Sequence, residues 1–304
     1  MNIIEQATQR LEELKRAGID IPWSAVTQAG SSPEASAIPA PPAQQHGHLA
    51  AVRREGPVRR SKDVSVDLAR LGQLGFIVPG KERTRWAEEF RAVKRAVLDT
   101  VRHTSVQTPR SNLVMVTSAL PGDGKTFCAL NLALSIAAEV DSSVMLVDAD
   151  VVQPAVMNRL GLGEETTGLL DVLAGSVENL SDVLLKPDSI PKLTLMPAGT
   201  RRENASELLA SAAMDRLLDE LSTRYADRII VFDAPPLLLT SEAKALAKKV
   251  GQLLMVVRDG VTSVQDLTHA FGCVESVPHV MSVLNGSPSE LATQGYAGGY
   301  GYAA

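Results

Sequence analysis

The sequence predicts an α/β domain, a three-layer sandwich in which a mostly parallel sheet lies between two layers of helices. Short apolar runs recur at Leu113–Thr117, Val144–Val147, Leu193–Met196, Ile229–Phe232, Leu253–Val257 and Val280–Leu284. Helical stretches separate them, among them Phe127–Glu139, Ser206–Tyr225 and Ser263–Glu275. Strands that are apolar almost without interruption, alternating with helices, are what a sheet buried on both faces requires. A glycine-rich turn joins the first of these strands directly to an apolar helix.

Around this core the chain changes character three times. Ile3, Ile4, Ala7, Leu11 and Leu14 recur at helical spacing opposite Glu5, Glu12, Glu13, Lys15 and Arg16, which predicts an amphipathic helix over residues 1–20. Residues 21–62 are rich in Ala, Pro, Ser and Gln and cannot bury enough apolar area to offset their ordering entropy, so a disordered linker is expected. Residues 63–285 form the α/β unit, entered through a helix over about Thr84–Val101, and residues 286–304 form a flexible Gly/Tyr-rich tail.

Composition narrows the function. The 304 residues are 45% apolar and carry a net charge of −5, enough for a sizeable core and unfavourable for general nucleic-acid binding. Cys128 and Cys273 stand far apart and read as reduced, cytosolic thiols. No apolar run approaches the roughly 20 residues of a membrane span, and the charged N-terminus is not a secretory signal. A cytoplasmic protein is expected, recruited to a membrane only through a partner.

The turn after the first strand reads A-L-P-G-D-G-K-T from Ala119 to Thr126, a Walker A loop with Ala in place of the first Gly. Gly122 and Gly124 allow the backbone to aim several N–H groups at phosphates, and the positive end of the following helix adds to that cradle. Pro121, Gly122, Asp123, Gly124, Lys125, Thr126 and Phe127 are therefore candidate nucleotide contacts. Lys125 is a point charge for the β- and γ-phosphates, and Thr126 offers a hydroxyl to magnesium.

Metal-assisted phosphoryl transfer also needs carboxylates at neighbouring strand tips. VMLVDADVVQP supplies Asp148 and Asp150, and RIIVFDAPPLL supplies Asp233. With Lys125 these three are the candidate catalytic residues; Thr126, Asp148 and Asp233 are the candidate metal ligands. Asp148 and Asp150 are expected to point to opposite sides and take different roles, one near the metal and the attacking group, the other supporting. Arg258, at the end of another strand, is a candidate for the adenine pocket, because open α/β sheets bind ligands at that edge.

Three of the four tyrosines, Tyr296, Tyr300 and Tyr302, fall in the last ten residues, GYAGGYGYAA. A phenol with a pKa near 10 needs a carboxylate to orient it or take its proton, which the Asp148/Asp150 pair could supply. The tail can extend at most roughly 60 Å, far enough to reach a neighbouring subunit's site.

Together PGDGKT, VDADVVQP, VFDAPP, MPAGTRRENASELL and the tyrosine cluster resemble the bacterial tyrosine kinases (BY-kinases), in particular their cytoplasmic exopolysaccharide autokinase branch. The resemblance implies an ATP- and Mg2+-dependent autokinase. Its subunits form a homo-oligomeric ring and phosphorylate one another's tails at Tyr296, Tyr300 and Tyr302. It further implies a membrane-bound chain-length regulator as activator, an opposing tyrosine phosphatase, and control of polysaccharide export. The family's oligomerisation motif of Glu, Arg and Arg reads Glu88, Arg91 and Lys94 here, and lysine lacks the bidentate fork of arginine. Val151, Val152 and Gln153 stand where many relatives carry a basic residue. The MinD/ParA-type ATPase switches share the fold but carry an extra lysine early in the loop, where this chain has Leu120. Such a switch, or a nucleotide-binding scaffold without kinase activity, is the alternative.

Overall fold

A computed structural model describes residues 61–80, 85–103, 109–163 and 167–287. The expected N-terminal helix, nearly all of the expected linker, and Tyr296, Tyr300 and Tyr302 lie outside the described residues. In chain order the elements are β1 (Lys62–Val64), α1 (Leu68–Gln73), α2 (Arg85–His103), β2 (Leu113–Ser118), α3 (Lys125–Ala137), β3 (Ser143–Asp148), α4 (Val156–Leu160) and α5 (Leu169–Leu173). There follow β4 (Leu185–Pro187), β5 (Leu193–Met196), α6 (Ala205–Ala210), α7 (Ala212–Arg224), β6 (Arg228–Asp233), α8 (Ser241–Ala247), β7 (Gln252–Arg258), α9 (Val264–Gly272) and β8 (His279–Asn285).

The strands form one sheet in the order β1-β4-β5-β3-β6-β2-β7-β8. From β5 to β8 all neighbours pair in parallel, whereas β4 runs antiparallel to β5 and carries β1 with it. The six apolar runs are these parallel strands. Side chains alternate between two cores, as the pleat requires. Val114, Val116, Val144, Leu146, Ile229 and Val231 face α2 and α3, and Leu113, Met115, Met145, Val147, Ile230 and Phe232 face the opposite helical layer.

One expected helix is divided. Ser211 adopts an extended backbone (ψ 165°) between α6 and α7, and its hydroxyl accepts the N–H of Ala213. A serine that caps a new helix breaks the old one, although the apolar spacing runs on through it. Strands β1 and β4, three residues each, are too short to leave a periodic signal. No helix among the described residues is long and apolar enough to cross a membrane. Parallel pairing brings the C-terminal ends of β5, β3, β6, β2, β7 and β8 to one edge, where the motifs of the sequence converge.

Candidate active site

The loop after β2 is shaped for an anion. Gly122 and Gly124 hold φ of +86° and +101°, a region that disfavours side chains. A Cβ on Gly124 would lie 2.0 Å from Asn285 Nδ2. Helix α3 starts at Lys125 with no side chain capping it, so the N–H groups of its first turn are available to phosphate. The far side of the sheet pins the loop. Buried Asp123 accepts the N–H of Leu120 (3.3 Å) and the hydroxyl of Thr262 (3.0 Å). Its own carbonyl accepts Asn285 Nδ2 (2.8 Å), and the carbonyl of Gly122 accepts a guanidinium N–H of Arg258 (2.9 Å).

Arg258 thus sits on the phosphate loop itself. Asn285 and Thr262 were not recognised in the sequence; the only available signal was that their strand and turn end at the same sheet edge. Phe127 turns its ring into apolar packing, with centroids 5.5 Å from Phe76 and 6.2 Å from Phe90. Beside it a cleft of about 510 Å3 opens between the start of α2 and the end of β8, lined by Trp86, Phe90, Phe127 and Asn285 among others.

On the other flank of the loop stand the carboxylates. Asp148 and Asp233 are the last residues of β3 and β6 and face each other in register, both fully buried. Asp148 Oδ2 accepts the N–H groups of Ala155 (3.1 Å) and Val156 (3.0 Å). Asp148 Oδ1 and both oxygens of Asp233 have no hydrogen-bond partner. Burial, followed by repulsion from Asp233, pushes the Asp148 carboxyl well above the usual range. Burial does the same to Asp233, partly offset by the Thr126 hydroxyl and the Lys125 charge nearby. Asp150 takes a different part: Oδ2 lies 2.9 Å from Lys125 Nζ, and Oδ1 accepts the N–H of Gln153 (3.1 Å).

The expectation that Asp148 and Asp150 point apart is corrected. Residues two apart on an extended chain share a side, and Asp148, Asp150 and Asp233 act electrostatically on one another around Lys125. Their contacts differ because the chain leaves the strand after Asp148, not because of the pleat. Three buried, partnerless carboxylate oxygens near a threonine hydroxyl suit a hard divalent cation, whose charge would relieve their repulsion. Cys128, one turn into α3, is buried, and burial, with the charge of Asp233, pushes its thiol up to about 12.

The remaining expected residues lie elsewhere. Glu88 and Arg91 pair along α2 (2.8 Å) and are partly exposed. Lys94, one turn on, is buried, and its ammonium is committed to Glu139 beyond the end of α3.

Fold and site together define a phosphate-loop nucleotide-binding α/β protein. No family model matches the chain. It is 32% identical to the tyrosine-protein kinase Wzc of Salmonella typhimurium over 200 residues, 66% of this chain and 26% of that protein. It is 28% identical to the tyrosine-protein kinase YwqD of Bacillus subtilis, over 74% of this chain and 92% of that protein. Among solved structures, the kinase domain of VpsO is matched along its whole length at 30% identity, with a TM-score of 0.53, by 66% of this chain. The chain therefore belongs to the bacterial tyrosine kinase family, and it spans about a quarter of the length of relatives such as Wzc.

Proposed function

We propose that this chain is an ATP- and Mg2+-dependent protein-tyrosine autokinase that phosphorylates Tyr296, Tyr300 and Tyr302 in trans within a homo-oligomer. The observation that carries this reading is the cluster at the head of α3, where Lys125 pairs with Asp150 and lies near Asp233, and Asp148 faces Asp233 in register. Backbone N–H groups from Gly122 to Phe127 bind the phosphates. Lys125 leaves Asp150 for the β- and γ-phosphates, which frees the Asp150 carboxylate to orient a tyrosine hydroxyl and accept its proton. Thr126, Asp148 and Asp233 would hold magnesium, which would supply positive charge against the negative charge of the phosphates. The phenol oxygen forms a bond to the γ-phosphorus while the β–γ bridging bond breaks, its electron pair leaving with ADP. The base of the nucleotide fits the cleft at the end of β8, on the opposite flank from the carboxylates.

We further propose that the chain acts in exopolysaccharide production, recruited and activated by a membrane-bound chain-length regulator and reset by a tyrosine phosphatase. Glu88 and Arg91 are the motif residues with surface to offer a neighbouring subunit. The test is nucleotide turnover and phosphotyrosine formation, measured together on the full chain and on a variant with Tyr296, Tyr300 and Tyr302 changed to Phe. The kinase reading requires phosphotyrosine that disappears in the variant. ATP hydrolysis that continues unchanged in the variant, with no phosphotyrosine in either protein, favours an ATPase switch instead; no turnover with intact nucleotide binding favours a scaffold.

A further inference from the structure

The stretch MPAGTRRENASELL is not used by the nucleotide site, yet its first half is held in an unusual way. Val147 of β3 pairs with Met196 of β5, so the chain leaving β5 at Pro197 runs beside Asp148 and the turn that carries Asp150. From the far side, the N–H groups of Leu169 and Leu170 donate to the carbonyls of Pro197 (2.8 Å) and Ala198 (2.9 Å). Two glycines make the contact possible. A Cβ on Gly168 would lie 2.0 Å from the Pro197 carbonyl oxygen, and one on Gly199, which has φ +92°, would lie 2.7 Å from Asp171 Oδ2.

Asp171 is the centre of this lock. It is 3% exposed, and its Oδ2 accepts the N–H groups of Gly168 (2.9 Å) and Thr200 (2.9 Å). Its Oδ1 accepts an N–H of Arg202 (3.2 Å), whose same nitrogen also donates to the Ser176 hydroxyl (2.9 Å). Burial raises the carboxyl, but the donors from Thr200, Gly168 and Arg202 outweigh it and leave Asp171 below the usual range, a charged anchor.

The sheet order assigns this anchored loop a place. The cleft proposed for the base lies on the β8 side of the phosphate loop, and Asp148, Asp150 and Asp233 lie on the other side, at β3 and β6. Strand β5 is the next strand outward, so its loop borders the carboxylates on the side away from the base. Resting on the kinase reading, we propose that Asp171 is a positioning residue for the acceptor. It holds Gly199–Arg202 as the wall along which the tyrosine-bearing segment of a second copy lies as its hydroxyl reaches Asp150.

The test uses full chains throughout. Wild-type, Asp171→Asn or Arg202→Gln chain serves as kinase, Lys125→Met chain is the acceptor, and phosphotyrosine formation is followed against acceptor concentration. Nucleotide affinity of each kinase is titrated separately. Asparagine keeps the shape of Asp171 but cannot accept all three donors, and Arg202→Gln removes one arm at a side chain that is 32% exposed. The expected result is an acceptor KM raised about tenfold with nucleotide Kd within about twofold of wild type. An unchanged acceptor KM in folded variants overturns the proposal. So does a parallel loss of nucleotide affinity, which a merely structural role would produce. If Asp171→Asn does not fold, Arg202→Gln decides by the same two readouts. A wild-type chain that binds nucleotide but transfers nothing to tyrosine overturns the kinase reading, and the acceptor role with it.

Discussion

Lys125 Nζ lies 2.9 Å from Asp150 Oδ2, and the two side chains are only 14% and 4% exposed. Each is the other's countercharge in a site closed to most water, so removing one leaves the other buried and unpaired. The consequences differ, because phosphate can replace Asp150 as the partner of Lys125 and nothing supplied by the nucleotide can replace Lys125. Asp150→Asn should keep nucleotide affinity within a few-fold while tyrosine transfer falls by about 100-fold or more, as for loss of a general base. Lys125→Met should lose both. Fluorescent-nucleotide titration alongside initial rates separates the two.

Asp148 and Asp233 predict a pH dependence of stability. Both carboxyls are raised in the folded chain, chiefly by burial: Asp148 to about 8, with repulsion from Asp233 and Asp150 adding to it, and Asp233 to about 7, with repulsion from Asp150 adding to it. The folded state therefore holds protons that the unfolded state, with ordinary carboxyls near 4, has released. Their contribution is fully present below about pH 4 and is lost as pH rises through about 7–8. Metal-free protein should fall in Tm across that window. Asp233→Asn should flatten the fall, raising Tm at pH 8 by roughly 3 °C or more. Magnesium with nucleotide should restore wild-type Tm at high pH and do little for the variant. Thermal melts from pH 5 to 9, with and without ligand, check this.

Gly124 and Asn285 predict a steric effect confined to the loop. Gly124→Ala places a Cβ 2.0 Å from Asn285 Nδ2 at a φ of +101°, so nucleotide affinity should fall by about 100-fold with the fold retained. Asn285→Ala removes the clash partner together with the bond to the Asp123 carbonyl; alone it should weaken nucleotide about five- to tenfold. If space is the main problem, the double variant should bind better than Gly124→Ala. Calorimetric Kd values for the three variants form the test.

Arg258 predicts a change without base preference. Its guanidinium donates to the Gly122 carbonyl, a contact with the phosphate loop. Arg258→Ala should weaken ATP and GTP by the same factor, about threefold to tenfold. A factor that differs strongly between the two nucleotides would return Arg258 to the adenine pocket.

The parts of the fold legible in the sequence were those whose physics is local or periodic. β2, β3, β6 and β7 are buried on both faces and read as unbroken apolar runs, and the Gly-Lys-Thr loop announces a strand, turn and helix. Asp148, Asp150 and Asp233 could be named from strand ends, but not their register or their charge on one another, which depend on β3 and β6 lying side by side. Asn285, Thr262 and Asp171 stayed hidden because each acts across the fold. Asn285 meets Asp123 over a separation of 162 residues, and nothing near it in sequence marks the meeting. Ser211 was missed for the opposite reason, a local cap overriding a period that continues past it. Lys94 reads in the sequence as the third residue of the oligomerisation motif, and its partner Glu139 is brought to it only by the packing of α2 on α3.

The most direct measurement mixes unlabelled wild-type chain with isotopically heavy Lys125→Met chain, adds ATP and magnesium, and maps phosphate by mass spectrometry. The kinase reading gives phosphotyrosine on heavy peptides carrying Tyr296, Tyr300 and Tyr302, and none when the heavy chain is incubated alone. Heavy peptides that stay unmodified while the wild-type chain consumes ATP, or phosphate found only on serine or threonine, would contradict it.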